Sequence, residues 1–196
     1  MVLHQLLFAT HNAHKVEEIQ AGIGDLLRVI SLKEAGIEQE IPEPHDSLQE
    51  NASEKSGTIH RMTGLDCFSE DTGLEVDALG GAPGAYSARY AGEGNSFEKN
   101  IDLLLQNMEG EKNRNARFRT VISLILDKKE YFFEGICKGE ILKERRGNRG
   151  FGYDPVFRPE GSELSFGGMG LEEKNKYSHR KKAVDQMIRF IQSNYK

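Results

Sequence analysis

The chain has 196 residues and a formal net charge of −5, with 37% hydrophobic and 29% charged residues. That length can bury a real core in one domain, and the acidic balance argues against nucleic acid as the main partner, since a duplex-binding surface carries a basic surplus. No run approaches about 18 consecutive apolar residues, so no membrane span is expected. Met1 to Thr10 lacks a basic leader and a long apolar stretch, and no signal peptide is expected. Cys67 and Cys137 are two cysteines far apart, which points to a reducing cytoplasm and away from a finger-type zinc site.

Gln5 to Ala9 is a short apolar run that predicts a buried strand. It ends at Thr10-His11-Asn12-Ala13-His14-Lys15, after which Val16, Ile19 and Ile23 space like one helix face. Strand, polar loop and helix together form an arrangement in which free backbone N–H groups bind phosphate, and Lys15 adds a compact positive charge. A Thr/Asn turn before a helix is also an ordinary N-cap, so the residues alone leave both readings open. Leu26 to Ile30 predicts a second strand, followed by an acidic loop from Glu38 to Asp46 in which Glu43 lies between Pro42 and Pro44. Leu48 to Met62 predicts a helix, with Ser47 as N-cap and Glu50 completing a capping box. Asn51 and Lys55 lie four apart, on one face of that helix.

The run from Phe68 to Tyr90 is the most informative. Glu70 and Asp71 follow the short apolar pair Cys67-Phe68, and an acidic pair at a strand end presents carboxylate oxygens to a hard divalent cation. Thr72-Gly73 is expected to break the chain before Leu74, Val76 and Leu79 resume a strand pattern. Leu79 to Gly84 holds three glycines and a proline, which require special backbone angles or close backbone approach. Asn95 to Met108 predicts a helix with Ile101, Leu104, Leu105 and Met108 on its apolar face. Phe118 to Leu126 and Tyr131 to Cys137 predict an antiparallel hairpin, and a hairpin beside strand-helix units implies a mixed sheet.

Gly147 to Gly152 is rich in glycine and arginine and leads into Phe151-Gly152-Tyr153-Asp154-Pro155-Val156-Phe157. Aromatic rings and a carboxylate on such a loop suit stacking a base and accepting its ring N–H, or else the rings are core and Asp154 precedes a turn proline. Lys174 precedes Ser178-His179-Arg180, with Ser178 as the N-cap of a last helix buried through Val184, Met187, Ile188 and Ile191. Basic residues at a helix start oppose its dipole, which points to a function there or to a solvated start.

The stretch SEDTGLEVDALGGAPGAYSARYAG (residues 69–92) resembles the signature of the inosine triphosphate pyrophosphatase family. Thr10-x-Asn12-x-x-Lys15, FGYDPVF and SHRxxA resemble its other motifs, so the likeness spans nearly the whole chain. It implies one α/β domain over residues 1–196, a mixed sheet with flanking helices and two lobes around a central substrate cleft. The implied reaction is hydrolysis of non-standard purine nucleoside triphosphates (ITP, dITP, XTP) to the monophosphate and pyrophosphate. By the same resemblance Asp71, or its neighbour, is the catalytic proton acceptor, and Mg²⁺ is held by Asp71 with Glu43 or Glu70 as the second ligand. Substrate-binding positions are Thr10, His11, Asn12, Ala13, His14, Lys15, Lys55, Thr72, Phe151, Gly152, Tyr153, Asp154, Lys174, His179 and Arg180. His11 departs from the glycine that many members carry. Arg180 and His179 supply donors suited to a 6-keto oxygen, which hypoxanthine and xanthine have and adenine lacks. A cytoplasmic homodimer acting on a purine nucleoside triphosphate is implied, with neither nucleic acid nor membrane as partner. Two rivals are a related pyrophosphatase acting on modified pyrimidine or standard nucleotides, and a non-catalytic nucleotide-binding module.

Overall fold

The computed structural model describes residues 5–92, 94 and 96–194. Strand β1 (Gln5–Phe8) leads into helix α1 (Ala13–Ile23), and β2 (Arg28–Ser31) returns to pair in parallel with β1. Helix α2 (Leu48–Thr63) starts as its sequence predicts: Ser47 Oγ accepts from Glu50 N at 3.2 Å and donates to Glu50 Oε2 at 2.8 Å. Strand β3 (Cys67–Val76) lies parallel to β1.

The expected break at Thr72-Gly73 is absent, and β3 runs straight through both residues. Gly73 is there because β4 (Pro83–Gly84) pairs closely with β3: a Cβ at Gly73 would stand 2.5 Å from Gly84 O. The glycine permits backbone approach within a strand, a use that sequence pattern alone does not separate from a turn. Helix α3 (Phe97–Asn107) is capped by Ser96, and its predicted start at Asn95 lies outside the described residues. Strands β5 (Asn115–Leu126) and β6 (Lys129–Ile141) form the hairpin, joined by Asp127 and Lys128 with φ of 50° and 62°. Two left-handed residues are what a type I′ two-residue hairpin turn requires. Both strands run longer than predicted: beyond Phe118 and Cys137 the alternation continues to Ala116 and Ile141, which are both buried. Strand β7 (Phe157–Pro159) pairs antiparallel with β6, and α4 (Leu171–Asn175) and α5 (His179–Asn194) follow.

Among the described residues the strand order is β2-β1-β3-β5-β6-β7, with β4 on β3, so parallel and antiparallel pairs share the mixed sheet that the hairpin predicted. The chain forms two compact units. Unit 1 comprises residues 1–71, 120–135 and 180–196; unit 2 comprises 72–119 and 136–179. Strands β3, β5 and β6 each contribute residues to both.

In unit 1 the two-residue period of the strands builds two apolar layers. Leu6, Phe8, Phe68, Ile122 and Leu124 meet Ile19 and Ile23 of α1 and Val184, Met187 and Ile191 of α5. Leu7, Cys67 and Ile125 pack instead with Ile59 of α2. The Phe8 and Phe68 rings stack with centroids 4.4 Å apart. Unit 2 has its own core, in which Leu74, Val76, Leu104, Phe118, Phe157 and Phe166 are buried. No helix among the described residues is long and apolar enough to cross a membrane.

Both cysteines are buried free thiols, and burial, reinforced by Asp66, pushes the Cys67 thiol from 9.0 up to about 12. A raised thiol pKa means that its contribution to stability is present below pH 9.0 and is lost as pH climbs towards about 12. At pH 8 a thiol-specific reagent should therefore modify neither cysteine in the native protein and both in urea. Modification of Cys67 in the native state would refute the burial argument.

Candidate functional site

In unit 1, β1 ends at a loop that uses its own side chains to start α1. Asn12 N donates to Thr10 Oγ1 at 3.2 Å, and Asn12 Oδ1 accepts from Lys15 N at 3.2 Å. Thr10 and Asn12 therefore shape the loop. Ala13 and His14 occupy the exposed first turn, which contains no acidic residue, so its N–H groups and dipole suit an anion. His11 turns aside to Gln39 O at 3.0 Å. Lys15 Nζ lies 2.7 Å from Glu70 Oε1.

Lys55 is buried and bridges two carboxylates: its Nζ lies 3.1 Å from Asp71 Oδ1 and pairs with Glu43 Oε1. The 16-residue α2 delivers Lys55 to Asp71, midway along β3, and the proline-bounded loop brings in Glu43. Burial lowers an ammonium pKa, but Asp71 and Glu43 outweigh it and raise Lys55. The two carboxylates are driven in opposite directions. Burial, helped by repulsion from Glu43, holds Asp71 above its ordinary range despite Lys55 and Lys15. For Glu43 burial also pushes upward, but Lys55 and Lys15 together win and hold it below its ordinary range.

Glu70 faces other cations. Its buried carboxylate meets Lys15 and, at 3.4 Å, Arg180 Nη2, while Arg180 Nη1 pairs with Glu18. Arg180 is itself buried, and Glu70 and Glu18 raise its pKa although burial works against them. The sequence reading aims Arg180 at a keto oxygen; in the structure two of its nitrogens meet the Glu18 and Glu70 carboxylates. Glu18 was missed, yet it lies three residues after Lys15 on the same helix face, which was the available signal.

In unit 2 the aromatic loop is organised by Asp154. Its Oδ2 accepts from Phe151 N at 2.9 Å and from Lys174 Nζ at 2.6 Å, and both side chains of this ion pair are buried. Gly150 has φ of 73°, and a Cβ there would stand 2.0 Å from Asp154 Oδ2, so the loop closes only on glycine. Lys174 Nζ lies 5.4 Å from the Phe151 ring centre and 5.1 Å from that of Phe166. The Phe151 ring is half-buried; Tyr153 is buried and donates to Ser87 O at 2.9 Å, which ties the loop after Gly152 to the 83–90 segment. Buried His179 stacks on Phe118 with centroids 4.6 Å apart. Thr72 is half-buried on β3, next in the chain after Asp71.

Asp71 and Glu43 thus converge within unit 1 as hard oxygen donors. Among the described residues no three His, Cys, Asp or Glu side chains form a protein-only metal cage. Mg²⁺ does not require one: it takes one or two carboxylates and completes its shell with water and phosphate oxygens. Glu43 and Asp71 fit that demand, sharing a point now held by the Lys55 ammonium. Glu70, between Lys15 and Arg180, fits it less well.

Comparison with known proteins places the chain in a family. The profile described as the Ham1 family matches residues 6–190. A dITP/XTP pyrophosphatase of Porphyromonas gingivalis is 48% identical over 190 residues, covering 96% of this chain and 98% of that protein. One from Flavobacterium psychrophilum is 44% identical over 189 residues, covering 96% of this chain and all of that one (100%). Among solved structures, the Staphylococcus aureus Ham1 protein matches with a TM-score of 0.86 at 34% identity, covering 96% of this chain and 98% of that chain. A HAM1 protein from Coxiella burnetii matches with a TM-score of 0.88 at 31% identity, covering 97% of this chain and 100% of that chain. The chain belongs to the Ham1 family.

Proposed function

We propose that the protein hydrolyses non-standard purine nucleoside triphosphates (dITP, XTP and ITP) to the monophosphate and pyrophosphate. Relatives 44% and 48% identical to it carry the name dITP/XTP pyrophosphatase. The observation that carries the chemistry is the Asp71-Lys55-Glu43 group, in which two nearby carboxylates are pushed apart in basicity. A pair so divided separates the roles of base and permanent anion. Asp71, the more basic, takes the proton of a water attacking the α-phosphorus, and pyrophosphate leaves. Glu43 stays ionised and, with Asp71, would hold Mg²⁺, which when bound would neutralise phosphate charge and orient water.

The first turn of α1, with Thr10, His11, Asn12, Ala13, His14 and Lys15, and the Lys55 ammonium bind the phosphate chain's charge. Glu70 and Arg180 then act on Lys15, with Glu70 holding its ammonium in place. In unit 2, the Phe151 ring and the Gly152-Tyr153-Asp154 loop, with Lys174, Thr72 and His179, supply stacking and hydrogen-bonding chemistry for a purine. The resemblance supports one functional domain over residues 1–196 and a cytoplasmic homodimer, for which sedimentation is the direct test.

Pyrophosphate release should be measured over dITP, XTP, ITP, dATP, ATP and GTP, with Mg²⁺ and with EDTA. Fast release from the first three, Mg²⁺-dependent and well above the standard nucleotides, is the expected result. Equal rates on all six would reject the substrate class.

A further inference from the structure

We propose that Asn51 is a positioning residue that holds Asp71 and the Glu43 loop in register, an inference resting on the reading of Asp71 and Glu43 given above. Asn51 lies on α2 and is buried. Its Oδ1 accepts from His45 N at 2.9 Å, and its Nδ2 donates to His45 O at 3.0 Å and to Asp71 Oδ2 at 3.3 Å. Both amide N–H bonds are used, together with an acceptor lone pair. Pairing with both main-chain groups of His45 fixes the loop two residues after Glu43, and the third bond reaches the carboxylate.

Lys55 makes the same link one helical turn later, from Glu43 to Asp71. Two side chains on one face of α2 therefore join the same loop to the same carboxylate, and they differ in charge. The Lys55 link is ionic, so a divalent cation drawn to Glu43 and Asp71 competes with it. The Asn51 link is neutral. It uses Asp71 Oδ2 and leaves Oδ1, the oxygen facing Lys55, to other partners. Asn51 can thus keep the two ligand-bearing segments at one spacing whether or not a cation is bound, and a group of this kind one shell out is worth about 10–100-fold in affinity or activity.

The test compares Asn51→Ala and the near-isosteric Asn51→Asp with the unmodified protein. Asn51→Asp keeps an acceptor for His45 N but loses both donors and adds charge beside Asp71. Three quantities are read: kcat and KM for dITP, Mn²⁺ binding by electron paramagnetic resonance with pyrophosphate present, and melting temperature. Both variants should lose kcat about 10–100-fold with KM within about threefold, because the lost interaction orients reacting groups and does not bind substrate. Mn²⁺ binding should weaken about tenfold. If Asn51→Ala does not fold, the near-isosteric variant carries the test. A folded variant whose kcat and Mn²⁺ affinity stay within about twofold of the unmodified protein, whatever its melting temperature, would overturn the proposal and leave Asn51 as a loop anchor. Failure of the unmodified protein to hydrolyse dITP would reject the functional reading instead, and the Mn²⁺ measurement would still decide the role of Asn51.

Discussion

Asp71→Asn should lower dITP hydrolysis by about 10²–10⁴-fold, the range contributed by a positioned proton acceptor, while the protein remains folded. The amide has the shape of the carboxylate but no longer accepts a proton, and it is a poor ligand for a hard cation. The fold should survive because Lys55 is not left without a counter-charge: Glu43 still pairs with it. Removing one carboxylate from a group of two carboxylates and one ammonium leaves a balanced pair, so the loss should stay below the about 3–5 kcal/mol typical of an orphaned buried charge. Turnover and thermal unfolding of the same preparation separate the two effects. A folded variant releasing pyrophosphate at a near-normal rate would remove Asp71 from the chemistry.

Arg180→Ala should act first on stability. Glu70 and Glu18 both meet this guanidinium, and with it gone Glu70 keeps Lys15 while Glu18 loses an ion pair in a nearly buried position. Breaking such a pair costs about 3–5 kcal/mol. For a chain of this size that corresponds to a fall in melting temperature of about 6–20 °C. Pairing Arg180→Met with Glu18→Gln removes charges of both signs and should cost less than the two single changes summed. In the folded fraction, activity on ITP and on ATP should fall in similar proportion. Unchanged stability with a loss confined to ITP would show that the guanidinium reads the base.

Much of this arrangement was legible in the residues. The short apolar run through Leu6, Leu7 and Phe8, the capping box at Ser47 and Glu50 and the spacing of Val184, Met187 and Ile191 are local patterns, and each yields the element it predicts. The hairpin was visible, though its polar-flanked ends were not. Gly73 misled because glycine serves both turns and close strand approach, and only the position of Gly84 tells them apart. Side-chain partners were the least legible layer. Nothing near Arg180 in the sequence indicates Glu18 or Glu70, 162 and 110 residues away. Asn51 stood out by spacing alone, and its tie to His45 and Asp71 depends on how the acidic loop folds back over α2.

The division of the chain also sets an order of events at the ribosome. Domains generally fold from the N-terminus onward during synthesis. Here the chain passes from one unit to the other after residues 71, 119, 135 and 179, so the unit that begins first is finished last. All of 72–119 and 136–179 can leave the exit tunnel and bury Leu74, Phe118, Phe157 and Phe166 while the other unit still lacks Val184, Met187 and Ile191. During that interval Leu6, Phe8 and Ile19 have no helix α5 to cover them. The nascent protein therefore exposes Leu6, Phe8 and Ile19 until α5 emerges, and that is the period in which a chaperone or a second nascent chain has most to bind.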